Sequence, residues 1–248
     1  QLTHEAPPLD VSRRVHCPIC LTNLHFRPVP VGSPPIYTAK KMWYSNTIFS
    51  ERNLRPMPLS AETALLSLID GHLSAGRPLT LAIDGCCAAG KTTLALRLQQ
   101  RYGCPVFHAD DYFLQPHQRT PQRLSQAGGN MDRERLLQEV LLPLSRGEDV
   151  VFRRFDCSAM ALRPPVRVPY APFQIVEGTY CMHPELAPYY TASVFLRISP
   201  AEQRRRIESR CPPEKAQQFF TRWIPLEQLY FQQLHPEKNC TLILEALP

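Results

Sequence analysis

The sequence predicts an α/β fold built on a doubly wound, parallel five-stranded sheet. Short apolar segments alternate along the chain with segments whose apolar residues recur at helical spacing. The apolar segments are nearly continuous, which is typical of strands that helices cover on both faces. A glycine-rich loop stands between one of these strands and the helix that follows it. Ligands of such sheets bind at the carboxyl ends of the strands, so we expect the functional site there.

The bulk composition narrows the classes of function. The chain has 248 residues, enough for one α/β domain and an extension, and its net charge of +6 is spread along the sequence. Nucleic-acid binding needs a concentrated basic stripe, and a membrane span needs ~20 apolar residues in a row, and the sequence has neither pattern. No secretory signal is recognisable, and nine cysteines without framework spacing indicate reduced thiols. We therefore expect a cytoplasmic protein with no nucleic acid and no membrane among its partners.

Residues 1–58 differ from the rest of the chain. They are rich in proline and lack sustained periodicity, which predicts a Pro-rich, loosely ordered extension before a domain at 59–248. Cys17 and Cys20 form a C-x-x-C pair, which is half of a zinc site, and His25 could add a ligand. No second pair follows, so an extension without metal is favoured over structural zinc.

The first elements of the domain can be predicted in order. A helix lies within 58–76, and its apolar face consists of Leu65, Leu66, Ile69 and Leu73. The apolar run at 79–84 predicts the first strand, and helical spacing continues over 91–102. A second apolar run at 105–110 predicts the second strand.

The second half continues the alternation. Helical spacing predicts a helix from residue 131 to about 147, and the apolar runs at 174–179, 192–198 and 240–244 predict three more strands. Between 149 and 169 the pattern breaks, which indicates a small β excursion outside the main sheet.

Two further helices are marked by their caps and by their length. Ser199 is a typical N-cap, Pro200 suits the first helical position, and Glu202 completes a capping box. A long helical stretch runs from about 214 to 234, and Pro225 predicts a kink within it.

The glycine-rich loop fits the pattern G-x-x-x-x-G-K-[ST] in full and lies between a strand and a helix. Glycine at both ends lets the backbone curl and aim several N–H groups inward, and the helix N-terminus adds partial positive charge. Lys91 is expected to reach the β- and γ-phosphates of a nucleotide, and the Thr92 hydroxyl to hold Mg²⁺. The nucleotide-binding residues of this P-loop are predicted to be Gly85, Cys86, Cys87, Ala88, Ala89, Gly90, Lys91, Thr92 and Thr93.

Other motifs decide which class of P-loop protein this is. The sequence has no N-K-x-D motif to read a guanine base and no ABC signature, and "QIVEG" ends in a single acid, Glu177. A small-molecule kinase fits what is left. Such an enzyme needs a carboxylate near the acceptor hydroxyl, an acidic group near the metal, and arginines that cover the transferring phosphoryl group.

The sequence offers candidates for all three requirements. Asp110 and Asp111 follow the second strand, where a carboxylate can accept a hydroxyl proton. Glu177 ends the third strand and is expected beside the metal. Arg206 and Arg210 share one face of their helix, and a bound anion would explain cations near a helix start. We expect these arginines, like Asp110 and the P-loop lysine, to be catalytic.

Seven segments occur in an order that resembles the bacterial uridine kinase-like proteins. This family belongs to the P-loop kinase group that also holds pantothenate kinase and phosphoribulokinase. The segments are "IDGCCAAGKTTLA", "ADDYFL", "GGNMDRERL", "RRFDCS", "IVEGTYCMHPEL", "VFLRISPAEQRRRI" and "WIPLEQLYF". The P-loop alone is generic, whereas its combination with D-D-[FY]-F and V-E-G is much more specific.

The resemblance implies a P-loop NTPase fold and phosphoryl transfer from ATP, with Mg²⁺, to the 5′-hydroxyl of uridine or cytidine. It places the catalytic aspartate on Asp110 and the aromatic residues beside the nucleoside on Tyr112 and Phe113. A residue that contacts the sugar falls on Asp132 or Asn130. The family's lid arginines fall near the two helix arginines named above.

The resemblance also matches the family's nucleoside-facing Tyr-Asp pair to Phe155 and Asp156, so phenylalanine stands in the tyrosine's place. Alternatives to the nucleoside acceptor are pantothenate, a sugar phosphate or another nucleoside. A non-catalytic ATP-binding regulator, with the extension as its partner-binding element, is a second alternative. An RNA-associated protein that uses its basic excess is a third.

Overall fold

The computed structural model describes residues 59–246, and their side chains from residue 61 onward. The predicted extension at 1–58, with Cys17, Cys20 and His25, lies outside the described residues. Within them, no helix has the length and hydropathy that crossing a bilayer requires.

Nine strands and eight α-helices make up the described chain. The strands are β1 (Leu79–Gly85), β2 (Val106–His108), β3 (Val150–Phe152), β4 (Phe155–Asp156), β5 (Ala161–Leu162), β6 (Val166–Val168), β7 (Phe173–Glu177), β8 (Ala192–Arg197) and β9 (Leu242–Glu245). The helices are α1 (Leu59–Ser74), α2 (Lys91–Tyr102), α3 (Pro121–Leu124), α4 (Arg133–Leu136), α5 (Leu142–Ser145), α6 (Pro200–Arg210), α7 (Pro213–Gln218) and α8 (Ile224–Leu234).

The five strands predicted for the main sheet form one parallel sheet in the order β2-β7-β1-β8-β9. After β1, the chain adds β2 and β7 on one side of that strand, and then β8 and β9 on the other. The direction in which strands are added therefore reverses at β1. Register places Glu177 opposite both Ile83 of β1 and His108 of β2. The carboxyl ends of these three strands therefore meet at the point where such sheets bind ligands.

Apolar side chains cover both faces of the sheet. One layer packs against α4, α5 and α8 and takes Ala82, Phe107 and Val176 from the strands. The other packs against α1 and α2 and takes Leu81 and Ile175. Successive strand residues point to opposite faces, which is why neighbouring positions belong to different layers. The doubly wound α/β class is confirmed.

The small β excursion is also confirmed. Strand β3 pairs with β6, and β4 pairs with β5, in two antiparallel ribbons outside the main sheet. Together with the turns and helices from residue 109 onward, they form a stretch that we call the 109–170 segment.

Two helical stretches widen into π turns immediately before a proline. The first comprises α4, a π segment at Leu137–Leu141, and α5 with Pro143 as its second residue. The second comprises α7, a π segment at Phe219–Trp223, and α8 with Pro225 as its second residue. A proline inside a helix has no N–H to donate, and its ring collides with the carbonyl four residues earlier. A π turn relieves both conflicts, so the kink predicted at Pro225 takes this form.

Candidate active site

The P-loop that joins β1 to α2 has the backbone conformation that a phosphate cradle requires. Gly85, Ala88 and Gly90 have φ angles of 133°, 61° and 101°. A Cβ atom at Gly85 would fall 2.1 Å from the Leu196 carbonyl oxygen, so only glycine fits there. The N–H groups in the first turn of α2, which begins at Lys91, have no carbonyl partners within that helix. The start of α2 therefore offers N–H donors to an anion, whereas the N–H groups of Cys86, Cys87 and Ala89 already have partners in the protein.

The two cysteines of the P-loop contribute small side chains and no thiolate chemistry. Burial raises the pKa of the Cys86 thiol to about 11 and that of the Cys87 thiol to about 12. Both thiols are therefore protonated at neutral pH, and neither is a nucleophile.

A buried carboxylate, that of Asp84 in β1, binds the backbone at the start of the P-loop. Its oxygens accept hydrogen bonds from three backbone N–H groups, those of Gly85 at 2.6 Å, Tyr180 at 3.2 Å and Met182 at 2.9 Å. The Tyr230 hydroxyl donates a fourth bond at 2.8 Å. Burial raises the pKa of Asp84, and the hydrogen bonds act against that rise. One side chain thus ties the P-loop to the segment after β7 and to α8.

Asp84→Asn is expected to lower the free energy of unfolding by about 3 kcal/mol, because the new amide NH₂ would face N–H donors. Urea denaturation followed by circular dichroism measures this change. Tyr230→Phe is the matched control. It removes one of the four bonds and leaves the carboxylate, so its cost should be about 1 kcal/mol. An Asp84→Asn variant as stable as the control would contradict the structural role assigned to this carboxylate.

The predicted phosphate-binding lysine is buried against its own loop. Lys91 Nζ donates to the Gly85 carbonyl at 2.8 Å, the Cys86 carbonyl at 2.9 Å and the Thr179 hydroxyl at 3.0 Å. Burial acts to lower the pKa of Lys91, but the carboxylates of Glu227 and, more weakly, Glu177 outweigh it and raise the pKa. The ammonium group is therefore charged and held within the loop.

Thr92 and Glu177 lie together, as the sequence predicts for a metal site. The Thr92 hydroxyl donates to Glu177 Oε1 at 3.1 Å, and His108 Nδ1 lies 2.6 Å from the same oxygen. Burial acts to raise the pKa of Glu177, but His108 and Lys91 outweigh it and hold the pKa below its usual value. A hydroxyl and a charged carboxylate are the hard oxygen donors that Mg²⁺ prefers, so this pair fits that ion.

Asp110 lies in a turn rather than at a strand end. Strand β2 ends at His108, two residues earlier than predicted, and Ala109–Tyr112 form a 3₁₀ turn. Consecutive aspartates favour such a turn because their short side chains compete with the strand's backbone hydrogen bonds. Asp110 is exposed, and no described residue hydrogen-bonds its carboxylate. Loss of hydration to the surrounding protein, and then the charge of Glu177, raise the pKa of Asp110 to about 6.

The two predicted lid arginines lie on α6 beside the P-loop. Arg206 Nη1 donates to the Ala88 carbonyl at 3.1 Å, and its Nε donates to Glu202 at 2.6 Å. The Arg210 guanidinium lies 5.7 Å from the centre of the Phe219 ring. The sequence suggested that a bound anion would explain cations near this helix start. Glu202 pairs with Arg206 within the helix, and Arg206 reaches the loop, whereas Arg210 is the last residue of α6. A bound anion at these arginines stays a prediction.

In the 109–170 segment, two predicted substrate residues belong to the interior. Tyr112 is fully buried, with its ring stacked on Phe152 and the Arg135 guanidinium 4.3 Å from its centre. Asp132 is 2% exposed and caps α4 by accepting the Arg135 N–H at 3.1 Å, while its second oxygen lies 3.3 Å from Arg135 Nε. Phe113, by contrast, is partly exposed.

The predicted Phe155–Asp156 pair forms β4 in the excursion. Phe155 is buried, and the Arg119 guanidinium lies 5.8 Å from its ring centre. Asp156 accepts bonds from the Ser158 N–H and hydroxyl and forms an ion pair with Arg163. These bonds outweigh the effect of desolvation and lower the pKa of Asp156, so its carboxylate is charged.

Three residues of the site were not assigned a role from the sequence. Thr179 accepts from the P-loop lysine, and Gln203 and Glu227 bind the backbone of Cys87. Thr179 follows "VEG", Gln203 lies in "VFLRISPAEQRRRI" and Glu227 lies in "WIPLEQLYF", so all three stand in segments that carry the family resemblance. Only that position in a motif could have singled them out.

Comparison with known proteins identifies the fold. No protein-family model and no curated protein matches this sequence. A possible uridine kinase from Bacillus stearothermophilus matches in structure with a TM-score of 0.52 and 22% identity, covering 73% of this chain and 98% of that one. A proposed fructose transport system kinase from Silicibacter sp. matches with a TM-score of 0.51 and 20% identity, covering 74% and 98%. The chain has the fold of the P-loop kinases.

Proposed function

We propose that this protein is an ATP-dependent small-molecule kinase that transfers a phosphoryl group to a hydroxyl, with the 5′-hydroxyl of uridine or cytidine as the first candidate acceptor. The observation that carries the proposal is the position of Asp110. Asp110 is an exposed residue of the turn directly after β2, and its carboxylate lies within electrostatic range of both Lys91 and Glu177. A base and a phosphate-binding loop on the same sheet edge are what phosphoryl transfer to a hydroxyl needs.

The donor would lie in the P-loop. The N–H groups at the start of α2 and the ammonium group of Lys91 would bind the β- and γ-phosphates. Thr92 and Glu177 would hold Mg²⁺, which neutralises charge on the phosphates when it is bound. Arg206 and Arg210 would cover the phosphoryl group from α6, and that closure would exclude water from the reaction.

Asp110 would act as the general base. As the acceptor oxygen bonds to the γ-phosphorus and the bond to ADP breaks, the hydroxyl proton passes to the Asp110 carboxylate. A base with a pKa of about 6 is mostly deprotonated at neutral pH and still accepts a proton readily.

The residues predicted to contact the acceptor support two candidate acceptors. The family resemblance favours uridine or cytidine, with Phe113, Asp156 and either Asp132 or Asn130 at the pocket. Two observations favour a different hydroxyl acceptor as a second candidate. Both Asp132 oxygens are bound by Arg135, and phenylalanine at 155 has no hydroxyl to offer a base.

An acceptor screen tests the proposal. Purified protein with Mg²⁺ and either ATP or GTP is incubated with uridine, cytidine, adenosine, pantothenate, fructose and ribulose 5-phosphate, and products are identified by mass. A uridine or cytidine product heavier by one phosphate supports the first candidate, and a phosphorylated product from another acceptor supports the second. Tight ATP binding without any product from a wide panel would contradict the kinase and favour a nucleotide-binding regulator.

The pH dependence of the reaction is expected to report on Asp110. The base works only when deprotonated, so kcat/KM should reach half of its plateau near pH 6 and fall tenfold per pH unit below it. Initial rates between pH 5 and 8 at low acceptor concentration measure the profile. In Asp110→Asn, the activity that remains should not show this fall below pH 6. A wild-type profile that is flat down to pH 5 would contradict a base with this pKa.

A further inference from the structure

Two middle residues of the P-loop are bound by side chains from distant helices. The Cys87 N–H donates to Glu227 Oε2 at 2.7 Å, 140 positions further along the chain. Gln203 Nε2 donates to the Cys87 carbonyl at 3.1 Å and lies 3.2 Å from its sulfur, 116 positions away. Arg206 donates to the Ala88 carbonyl. Helices α6 and α8 therefore hold the P-loop through its backbone.

Gln203 and Glu227 also bind each other. Gln203 Nε2 donates to Glu227 Oε1 at 3.1 Å, so both oxygens of the carboxylate have a donor. Glu227 is 4% exposed and Gln203 is 7% exposed. Burial raises the pKa of Glu227, and the charge of Lys91 and the hydrogen bonds from Cys87 and Gln203 act against that rise. Apolar side chains at these two positions would pack without the free-energy cost of burying a charge, so packing alone does not explain the pair.

The same contact reaches the arginine helix. Gln203 and Arg206 are three residues apart on α6, so they lie on one face of that helix, towards the loop. Ile207, on the buried side of α6, belongs to an apolar cluster that includes the side chains of Cys87 and Ala88. The loop, α6 and α8 thus share one set of polar and apolar contacts.

We infer that Glu227 and Gln203 are positioning residues for the phosphoryl donor, which hold the P-loop in its phosphate-binding shape and tie it to the helix that carries Arg206. The inference rests on the proposed function for the identity of the donor. The bonds engage Cys87 and leave the N–H groups at the start of α2 for the phosphates. The two residues act through the loop and take no part in the chemistry.

Nucleotide affinity tests the inference. In Glu227→Ala, the Kd for MgATP should rise about tenfold or more, because the loop is no longer held in shape, whereas the KM for the acceptor should stay within about twofold. Glu227→Gln keeps the size of the side chain and one of its two hydrogen bonds. Its Kd for MgATP should therefore lie between those of the wild type and Glu227→Ala. Leu136→Ala is the control, since it destabilises the apolar layer in which α8 packs and removes no hydrogen bond to the P-loop. Equal loss of ATP affinity in that control would overturn the inference.

A double-mutant cycle tests whether the two residues act together. Gln203 and Glu227 both bind the backbone of Cys87, and they bind each other. The variant with alanine at both positions should therefore bind MgATP about as weakly as Glu227→Ala alone. Additive losses would mean that they do not work as one unit, and this too would overturn the inference.

Hydrogen exchange separates this inference from the proposed function, because it needs no nucleotide. In the nucleotide-free protein, the Cys87 amide is expected to exchange at least about tenfold faster in Glu227→Ala than in the wild type. If the wild type binds no nucleotide, the proposed function fails, while faster exchange still assigns the loop's shape to Glu227. Unchanged exchange at Cys87 overturns the inference whatever the protein binds.

Discussion

Asp110→Asn is expected to lower kcat about 1,000-fold, because an amide cannot accept the proton of the acceptor hydroxyl. ATP binding and stability should persist, since no described residue hydrogen-bonds this carboxylate. Stopped-time assays with the acceptor found in the screen measure kcat, and titration with a fluorescent ATP analogue measures binding. The variant thus separates chemistry from nucleotide binding.

Asp111→Asn is the matched control for this prediction. It makes the same chemical change in the same turn, at a carboxylate whose Oδ2 lies 3.4 Å from Arg154 Nε. Loss of a partly exposed ion pair should change kcat by less than about tenfold. If Asp111→Asn removes activity and Asp110→Asn does not, the base has been assigned to the wrong residue.

Lys91→Met is expected to have the other large effect. It removes the cation that would bind the β- and γ-phosphates, so kcat/KM should fall about 1,000-fold or more. It also leaves the buried carboxylates of Glu227 and Glu177 without their neighbouring positive charge, which should lower the free energy of unfolding by about 2 kcal/mol. Kinetics and urea denaturation measure the two effects on the same preparation.

Lys91→Arg distinguishes the two effects. It keeps the charge, so stability should be largely retained. The wider guanidinium cannot reproduce three bonds at 2.8–3.0 Å inside the loop, so activity should still be lost. A Lys91→Met variant as stable as the wild type would show that the carboxylates do not depend on this ammonium group.

Local sequence patterns predicted all five strands of the main sheet. The strands of the main sheet are nearly continuous apolar runs, and each strand observed overlaps the run that predicted it. The ends of the strands were not predicted as well as their positions, because the length of a strand depends on the neighbouring strand with which it pairs. Strand β2 contributes only Val106–His108, since its neighbour β7 ends at Glu177 and offers no further ladder.

The nucleotide half of the candidate site could be predicted because its residues are close together in the sequence. Gly85 to Thr92 form one motif, and the meeting of Thr92 with Glu177 follows from two strand ends in a parallel sheet. The surroundings of the candidate residues in the 109–170 segment could not be predicted in the same way. Whether Asp132 faces a ligand or Arg135 depends on how the 109–170 segment folds back on itself.

The sequence by itself determined the fold class, the P-loop and the carboxylate of Glu177 at the end of its strand, because periodicity and motif spacing are local properties of the chain. Only the tertiary structure decided what supports them. Asp84 meets Tyr230, and Cys87 meets Glu227, across 146 and 140 positions of sequence. Such pairings arise when the sheet and its helices pack, since a buried polar group must find a partner wherever the fold brings one. No local pattern encodes that partner.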